Sequence, residues 1–320
     1  MRWLSGYASR LRRGPRVGGD AVREHLSQFV ASTDPFIFRF DEFEVHAHHV
    51  DEPLPHLLYT TFGFSRVNST VPVAGTQTEL TLRVPADTPV PYAWPAEQLA
   101  AMVKLVRRTG NEIAPGHHMR LKEAVLDDAE IQAFTFVTDP ILGVIDTPTG
   151  MVRFTYAVGL TLRELDAALS WDPMKFTGVL GDFVPLGITD PARADILAIP
   201  EVRARVKEGT LRDGSSVSAA QAKLLDVDPS GRIDLDPLAA QALLRAARFR
   251  LGRGHSFALV RGETWLRISP DATFEATESH VQLPASRKLI DELVATFDAT
   301  PGVYRLRTVP VEIHVVDTDR

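Results

Sequence analysis

Three observations predict an α+β fold in two parts. Apolar and polar residues alternate with period two in several short stretches, most cleanly over 78–84. Helical stripes with start signals lie between such stretches, as at Trp94-Pro95-Ala96-Glu97 and Thr161-Leu162-Arg163-Glu164. Turn residues then crowd 209–236, with Gly209, Asp213-Gly214-Ser215-Ser216 and Asp228-Pro229-Ser230-Gly231. The last feature sets the expected division near residue 225. It gives a basic tail over 1–19, an N-terminal domain over 20–225 and a smaller α+β C-terminal domain over 226–320.

The elements follow in order. Asp20 caps a first helix over 20–31, with Val22, Leu26, Phe29 and Val30 on one face and Asp34-Pro35 as its stop. Aromatic strand segments come next at 36–40, 43–46 and 56–64. Over 78–84, Thr78, Leu80, Leu82 and Val84 are expected to face the core, while Glu79, Thr81 and Arg83 face solvent or a partner. A proline-stiffened link leads to a helix whose buried stripe is Leu99, Met102, Val103 and Val106. Strands are predicted at 131–137 and 151–158, a capped helix from 162, a return to the sheet over 182–190 and a broken helical region from Pro191 to 209. Beyond the division, Asp236-Pro237 starts a helix reaching about 248. Strands at 255–260 and 264–268 flank a hairpin at Arg261-Gly262. A helix over 286–298 and a strand over 311–316 complete the reading.

Composition narrows the function classes. The 320 residues are 44% hydrophobic and 24% charged, enough for a sizeable core without disulfide or metal staples. There is no cysteine, which removes thiolate nucleophiles and sulfur-ligated zinc and fits a reducing, cytoplasmic setting. A net charge of −6 disfavours specific nucleic-acid binding, and no stretch approaches 18 apolar residues, so no membrane span is expected. Arg2, Arg10, Arg12, Arg13 and Arg16 precede the first acid, Asp20, and read as a basic tail.

Chemical motifs lead no further. His46, His48 and His49 lie among Asp41, Glu42, Glu44 and Asp51, but no distant partner completes a metal spacing, so no metal is assigned. Of the acids Asp127, Asp128, Asp139, Asp190, Asp226, Asp228, Asp234 and Asp236, half directly precede proline, as turn and cap residues do. Asp226 to Asp236 lacks the terminal glutamate of a calcium loop. Leu251-Gly252-Arg253-Gly254-His255 is neither a dinucleotide fingerprint nor a P-loop, and no serine sits in a nucleophile elbow. No catalytic residue and no cofactor are assigned. A metal-independent hydrolase using clustered carboxylates is the alternative class.

Short words in order supply the remaining signal. Tyr59-Thr60-Thr61-Phe62-Gly63-Phe64-Ser65, Thr78-Glu79-Leu80-Thr81-Leu82-Arg83-Val84 and Trp94-Pro95-Ala96-Glu97 are followed by Thr138-Asp139-Pro140, Thr147-Pro148-Thr149-Gly150-Met151-Val152 and Val158-Gly159. Glu164-Leu165, Ala168-Leu169-Ser170-Trp171, Ile188-Thr189-Asp190 and Asp213-Gly214-Ser215-Ser216 continue the series. In order and approximate spacing, this series over roughly 36–220 resembles the suppressor of fused family, with a looser similarity from Leu244 to Phe257. The length, without the long low-complexity insertion of the animal members, resembles the bacterial branch.

The resemblance implies two mixed α/β sheet domains packed about a cleft, and binding of another protein or an extended peptide in place of catalysis. A homo-oligomer is left open. Animal members hold a transcription-factor peptide in this way, and bacterial members are suspected immunity proteins that neutralise toxins by occlusion. The partner-contact candidates implied are Phe62, Asn68, Glu79, Arg83, Asp139 and Asp190. Asn68 stands where the animal proteins place a peptide-contacting tyrosine, and the 67–77 loop is shorter than theirs. The mode of action carries over and the animal ligand does not.

Overall fold

The computed structural model describes residues 17–30, 32, 34–41, 43–65, 77–148 and 150–317, without the side chains of residues 17 and 18. Two compact units share the chain, which passes between them after residues 162, 176 and 195.

The first unit runs through Leu162 and takes in Thr177–Asp195. It contains α1 (Val17–Leu26), β1 (Phe36–Arg39), β2 (Glu44–Val50), β3 (His56–Phe62), β4 (Thr78–Pro85), α2 (Ala93–Thr109), β5 (His118–Arg120), β6 (Ile131–Thr138), β7 (Val144–Thr147) and β8 (Gly150–Thr161). These strands form one eight-stranded sheet in the order β1-β2-β3-β4-β8-β6-β5, with β7 paired to β8. Only the β4–β8 pairing is parallel, and the rest are antiparallel.

Each face of this sheet meets its own apolar layer. Leu57, Tyr59, Leu80, Leu82 and Val84 pack against Trp94, Leu99, Met102, Val103 and Val106 of α2. On the other face, Leu58, Phe62, Val152 and Phe154 pack with Val22 and Leu26 of α1. The central strands are therefore covered on both sides, and β3 is buried along its whole length. This corrects the expectation for 78–84: Glu79, Thr81 and Arg83 do alternate with the apolar set, yet they too are buried. Alternation reports polarity, and a polar face can be buried when its groups pair with one another.

The second unit holds Arg163–Phe176 and the chain from Ile196. Its main elements are α3 (from Leu162–Ser170), the first turn of α4 (Pro173–Phe183), α5 (Pro200–Asp213), β9 (Ala219–Gln221), β10 (Leu225–Val227), β11 (Arg232–Leu235) and α6 (Pro237–Phe249). They are followed by β12 (Phe257–Arg261), β13 (Thr264–Ser269), β14 (Glu275–Ala276), β15 (His280–Pro284), α7 (Arg287–Thr296), β16 (Gly302–Arg305) and β17 (Glu312–Val315). A four-stranded sheet β10-β11-β17-β16 and a five-stranded sheet β14-β15-β13-β12-β9 share one apolar core with α6 and α7. The predicted cap Asp236 accepts from the amides of Leu238 and Ala239, and Ser286 caps α7 by accepting from that of Leu289, whereas Asp20, expected to cap the first helix, lies inside α1.

The units do not divide at residue 225. The turn signals that pointed there have other causes. Gly209 lies inside α5, where a Cβ would come within 2.4 Å of the Trp171 ring, so its glycine permits close packing. Asp228-Pro229-Ser230-Gly231 connects the antiparallel pair β10–β11. The stretch 182–190 is no strand either. It ends α4 and then turns through Pro185–Gly187, with Leu186 at φ +56°. α4 itself was not predicted, because Gly178 and Gly181 interrupt its stripe.

Candidate functional site

The α1-facing side of the large sheet brings together a set of polar groups rarely found in a core. Glu79, Thr81 and Arg83 project from β4, Asp139 follows β6, and Tyr156 lies on β8 opposite Thr81 and Val137. Asp139, Glu79 and Arg83 are each 1% exposed. Such burial requires every charge to be paired or hydrogen-bonded.

Glu79 is held by four donors. The Thr61 and Ser65 hydroxyls each donate at 2.5 Å, and the Gly63 and Ser65 amides each donate at 3.0 Å. The carboxylate thus closes the turn that follows β3. Burial pushes its pKa up, while the four donors oppose that shift.

Arg83 and Asp139 form a buried ion pair, Nη2 to Oδ1 at 2.8 Å. Asp139 also accepts from the Thr81 hydroxyl at 2.7 Å and from the Ile141 and Leu142 amides at 3.0 Å. Burial alone would raise the Asp139 pKa, but Arg83 and these donors hold it below the ordinary carboxylate range. The Arg83 guanidinium lies over the Tyr156 ring at 4.5 Å. Tyr156 donates from its hydroxyl to the carbonyls of Leu186 and Gly187, at 3.0 and 2.6 Å. Its hydroxyl pKa is pushed up by burial.

The 184–190 segment is pinned over this network. The Thr189 amide donates to the Arg83 carbonyl at 2.9 Å, and the Gly159 amide donates to the Thr189 hydroxyl at 2.9 Å. A Cβ on Gly159 would stand 2.4 Å from Thr189 Cγ2, so only glycine admits this approach. Asp190, half-buried, accepts from the Ala192 amide at 2.8 Å and shapes the turn.

Phe62 is buried with its ring stacked on His46 at 4.8 Å, and Arg23 of α1 lies 4.7 Å from its centroid. His46 and His48 are buried with pKa values lowered by desolvation. His46 contacts Glu44 at 3.1 Å. Among the described residues no group of three His, Asp or Glu side chains converges on a metal position. Asn68 lies outside the described residues.

Of the six partner-contact candidates, Phe62, Glu79, Arg83 and Asp139 therefore gather in the interior of one sheet face, and Asp190 lies in the segment over it. The arrangement can hold charge and fix backbone. Its two most buried carboxylates, Glu79 and Asp139, face protein donors. The C-terminal acids are engaged too: Asp226 with Arg261 at 2.8 Å, Asp234 with Arg232 at 2.9 Å, and Asp228 and Asp236 with backbone amides. Tyr156, Gly159 and Thr189 belong to the network and were not singled out as site residues. Val158-Gly159 and Ile188-Thr189-Asp190 were visible as family words, but no spacing in the sequence shows that they touch.

Comparisons with known proteins bear on this geometry. Residues 40–194 match the family model described as suppressor of fused protein, so the likeness read from the sequence holds over the stretch that builds the network. A suppressor of fused homolog from Homo sapiens is 31% identical over 156 residues. That match takes in 45% of this chain and 32% of the human protein, so the chain aligns with about a third of that relative's length. The crystal structure of Drosophila Suppressor of Fused superposes with a TM-score of 0.73 at 17% identity, over 96% of this chain and 98% of the other. The fold is thus that of Suppressor of Fused along nearly the whole chain. The Sufu-Fu complex crystal structure matches with a TM-score of 0.53 at 22% identity, over 60% of this chain and 98% of the other. No described helix is long and apolar enough to cross a membrane.

Proposed function

We propose that this chain is a protein-binding protein and that it acts by occupying a partner's surface. The observation that carries the reading is the family match over residues 40–194, which covers the buried network of the first unit. The Sufu-Fu complex, solved as a crystal structure, has the same fold, and that Sufu has a protein partner. The physical argument agrees. Glu79 and Asp139 each accept four hydrogen bonds from protein donors, and they fix β4, the turn after β3 and the start of the β6–β7 connection. A framework held in this way presents a preorganised surface, which lowers the ordering cost of binding.

In its finer form the proposal is a cytoplasmic immunity protein of bacterial type that neutralises a toxin by occlusion, with complementary charge aiding recognition. The coarse reading is tested by immobilising the chain, recovering bound protein from its host's lysate and rebuilding the complex from purified components. A stoichiometric complex on size exclusion is the expected result. Failure of every recovered protein to form one sinks the reading. The finer form is tested by co-expressing the chain with toxins encoded beside its gene. Growth should be rescued, and absence of rescue by any of them removes the immunity role.

A further inference from the structure

One edge of the large sheet combines an open strand with a cluster of cations. β1 is the terminal strand and pairs with β2 alone. The Phe40 amide donates to the Phe43 carbonyl across that pairing at 3.0 Å. In an antiparallel pair the inward groups recur at every second residue, so Phe36 and Phe38 share this inward set. Ile37 and Arg39 then direct their amides and carbonyls away from β2. Neither backbone has a hydrogen-bond partner on that side among the described residues. Phe36, beside them, is 49% exposed. An unpaired edge of this kind is a template for an added strand.

The same strand runs into a basic pocket. Arg39, Lys104, Arg107 and Arg108 line it with Phe40, Phe43 and one described carboxylate, Asp41. Arg39 pairs with Glu44 of β2 at 3.7 Å, whereas Lys104 and Arg108 are exposed on α2 and no carboxylate of the described residues pairs with either. Phe40 and Phe43 stack at 5.1 Å, and the Arg107 guanidinium lies 5.5 Å from the Phe43 ring. The bland role of Arg107 and Arg108 is to complement the C-terminal end of α2. That role does not account for Lys104, which lines the same opening beside the Glu44-paired Arg39.

We propose that β1 and this pocket bind an acidic peptide in extended form. The peptide adds as a strand along Ile37 and Arg39, and its carboxylates enter among Arg39, Lys104 and Arg108. The inference rests on the protein-binding reading and names the chemistry of the partner segment. Two features choose this occupant: the open strand selects extended backbone, and the exposed Lys104 and Arg108, which no described carboxylate pairs, select negative charge.

The test uses the full chain and fluorescein-labelled ten-residue peptides read by anisotropy. A (Glu-Val)5 peptide should bind saturably and (Lys-Val)5 should not. The K104E/R108E variant changes two exposed side chains and should melt cooperatively, with its midpoint lowered by no more than a few degrees through the lost charge complement at the end of α2. It should bind (Glu-Val)5 at least tenfold more weakly and gain binding to (Lys-Val)5. A (Glu-Val)5 peptide N-methylated at every backbone nitrogen, which has no N–H to donate along a strand, should bind at least tenfold more weakly than (Glu-Val)5. The proposal is overturned if (Glu-Val)5 shows no saturable binding or if K104E/R108E binds it as the wild type does. Equal binding of the fully N-methylated (Glu-Val)5 or of a ten-residue oligothymidylate also overturns it, since charge alone would then explain the affinity. A partner that forms the same complex with K104E/R108E removes this site and leaves the protein-binding reading standing.

Discussion

Replacing Asp139 with asparagine isolates the charge of the buried pair. The new side chain would keep an oxygen where Oδ1 now accepts from Arg83, Ile141 and Leu142. Its amide group would face the Thr81 hydroxyl, which donates to Oδ2 at present but can equally accept. Volume and hydrogen-bond count are thus nearly conserved, and what disappears is the negative charge 2.8 Å from Arg83. Leaving one charge of a buried pair uncompensated costs about 3–5 kcal/mol, a large part of the ~5–15 kcal/mol that holds a typical domain together. D139N should therefore speed amide hydrogen exchange in β4, β6 and β8, with peptides of the second unit as the internal control. Adding Arg83→Met should recover part of the loss, because the orphaned guanidinium goes too, and the double-mutant cycle should show coupling of at least about 1 kcal/mol. The pH dependence has a definite sign. The folded pKa of Asp139 lies below its unfolded value, so its contribution is present above about pH 3.9 and is lost as pH falls through the folded pKa. The gap between wild type and D139N should narrow across that window. A D139N chain within about 1 kcal/mol of wild type, or strictly additive single effects, would refute the account of Arg83–Asp139 as a coupled buried pair.

Four further outcomes are expected. Gly159→Ala forces a Cβ to within 2.4 Å of Thr189 and 2.9 Å of Ile131; it should cost about 1–3 kcal/mol and raise exchange of the 184–190 segment. Gly209→Ala places the same strain on Trp171, so a comparable loss should appear in the second unit alone, visible as a changed Trp171 environment by fluorescence. Asp236→Ala removes the acceptor for four backbone amides, those of Lys223, Leu224, Leu238 and Ala239; urea denaturation should show a loss of at least about 2 kcal/mol, of which a cap alone accounts for ~1. His46, His48 and His56 have folded pKa values lowered by desolvation. The unfolded chain therefore binds more protons below about pH 6.5, and the first unit should lose stability there by up to about 1.4 kcal/mol per pH unit for each histidine. A flat stability profile between about pH 6.5 and 5 would contradict the buried, neutral placement of these rings.

Much of the fold was legible in local pattern, because helices and strands announce themselves through periodicity and caps. Asp236 and the stripe of α2 were readable from spacing alone. So was the order of words that marks the suppressor of fused likeness, since each word maps to a strand, a cap or a close approach such as Gly159 against Thr189. The short strands β5, β7, β9, β14 and β16 were not legible. Two to four residues carry too little period to register, and ladder partners brought in from elsewhere create them.

By itself, then, the sequence determined an α+β class, most of the longer elements, the absence of thiol chemistry and the family likeness over 36–220. Tertiary structure decided which polar residues face inward. Glu79 and Arg83 read as a solvent face until Thr61, Gly63 and Ser65 close on the first and Asp139 and Tyr156 on the second, because polarity along a strand is local and burial depends on what packs against it. It also decided where the units divide, since the chain crosses between them at 162, 176 and 195 and no local turn signal encodes such crossings. The basic pocket belongs to the same class of fact. Lys104 and Arg108 are visible as one helix face, but Arg39 joins them only through the docking of β1 beside α2, a contact spanning more than 60 residues of chain.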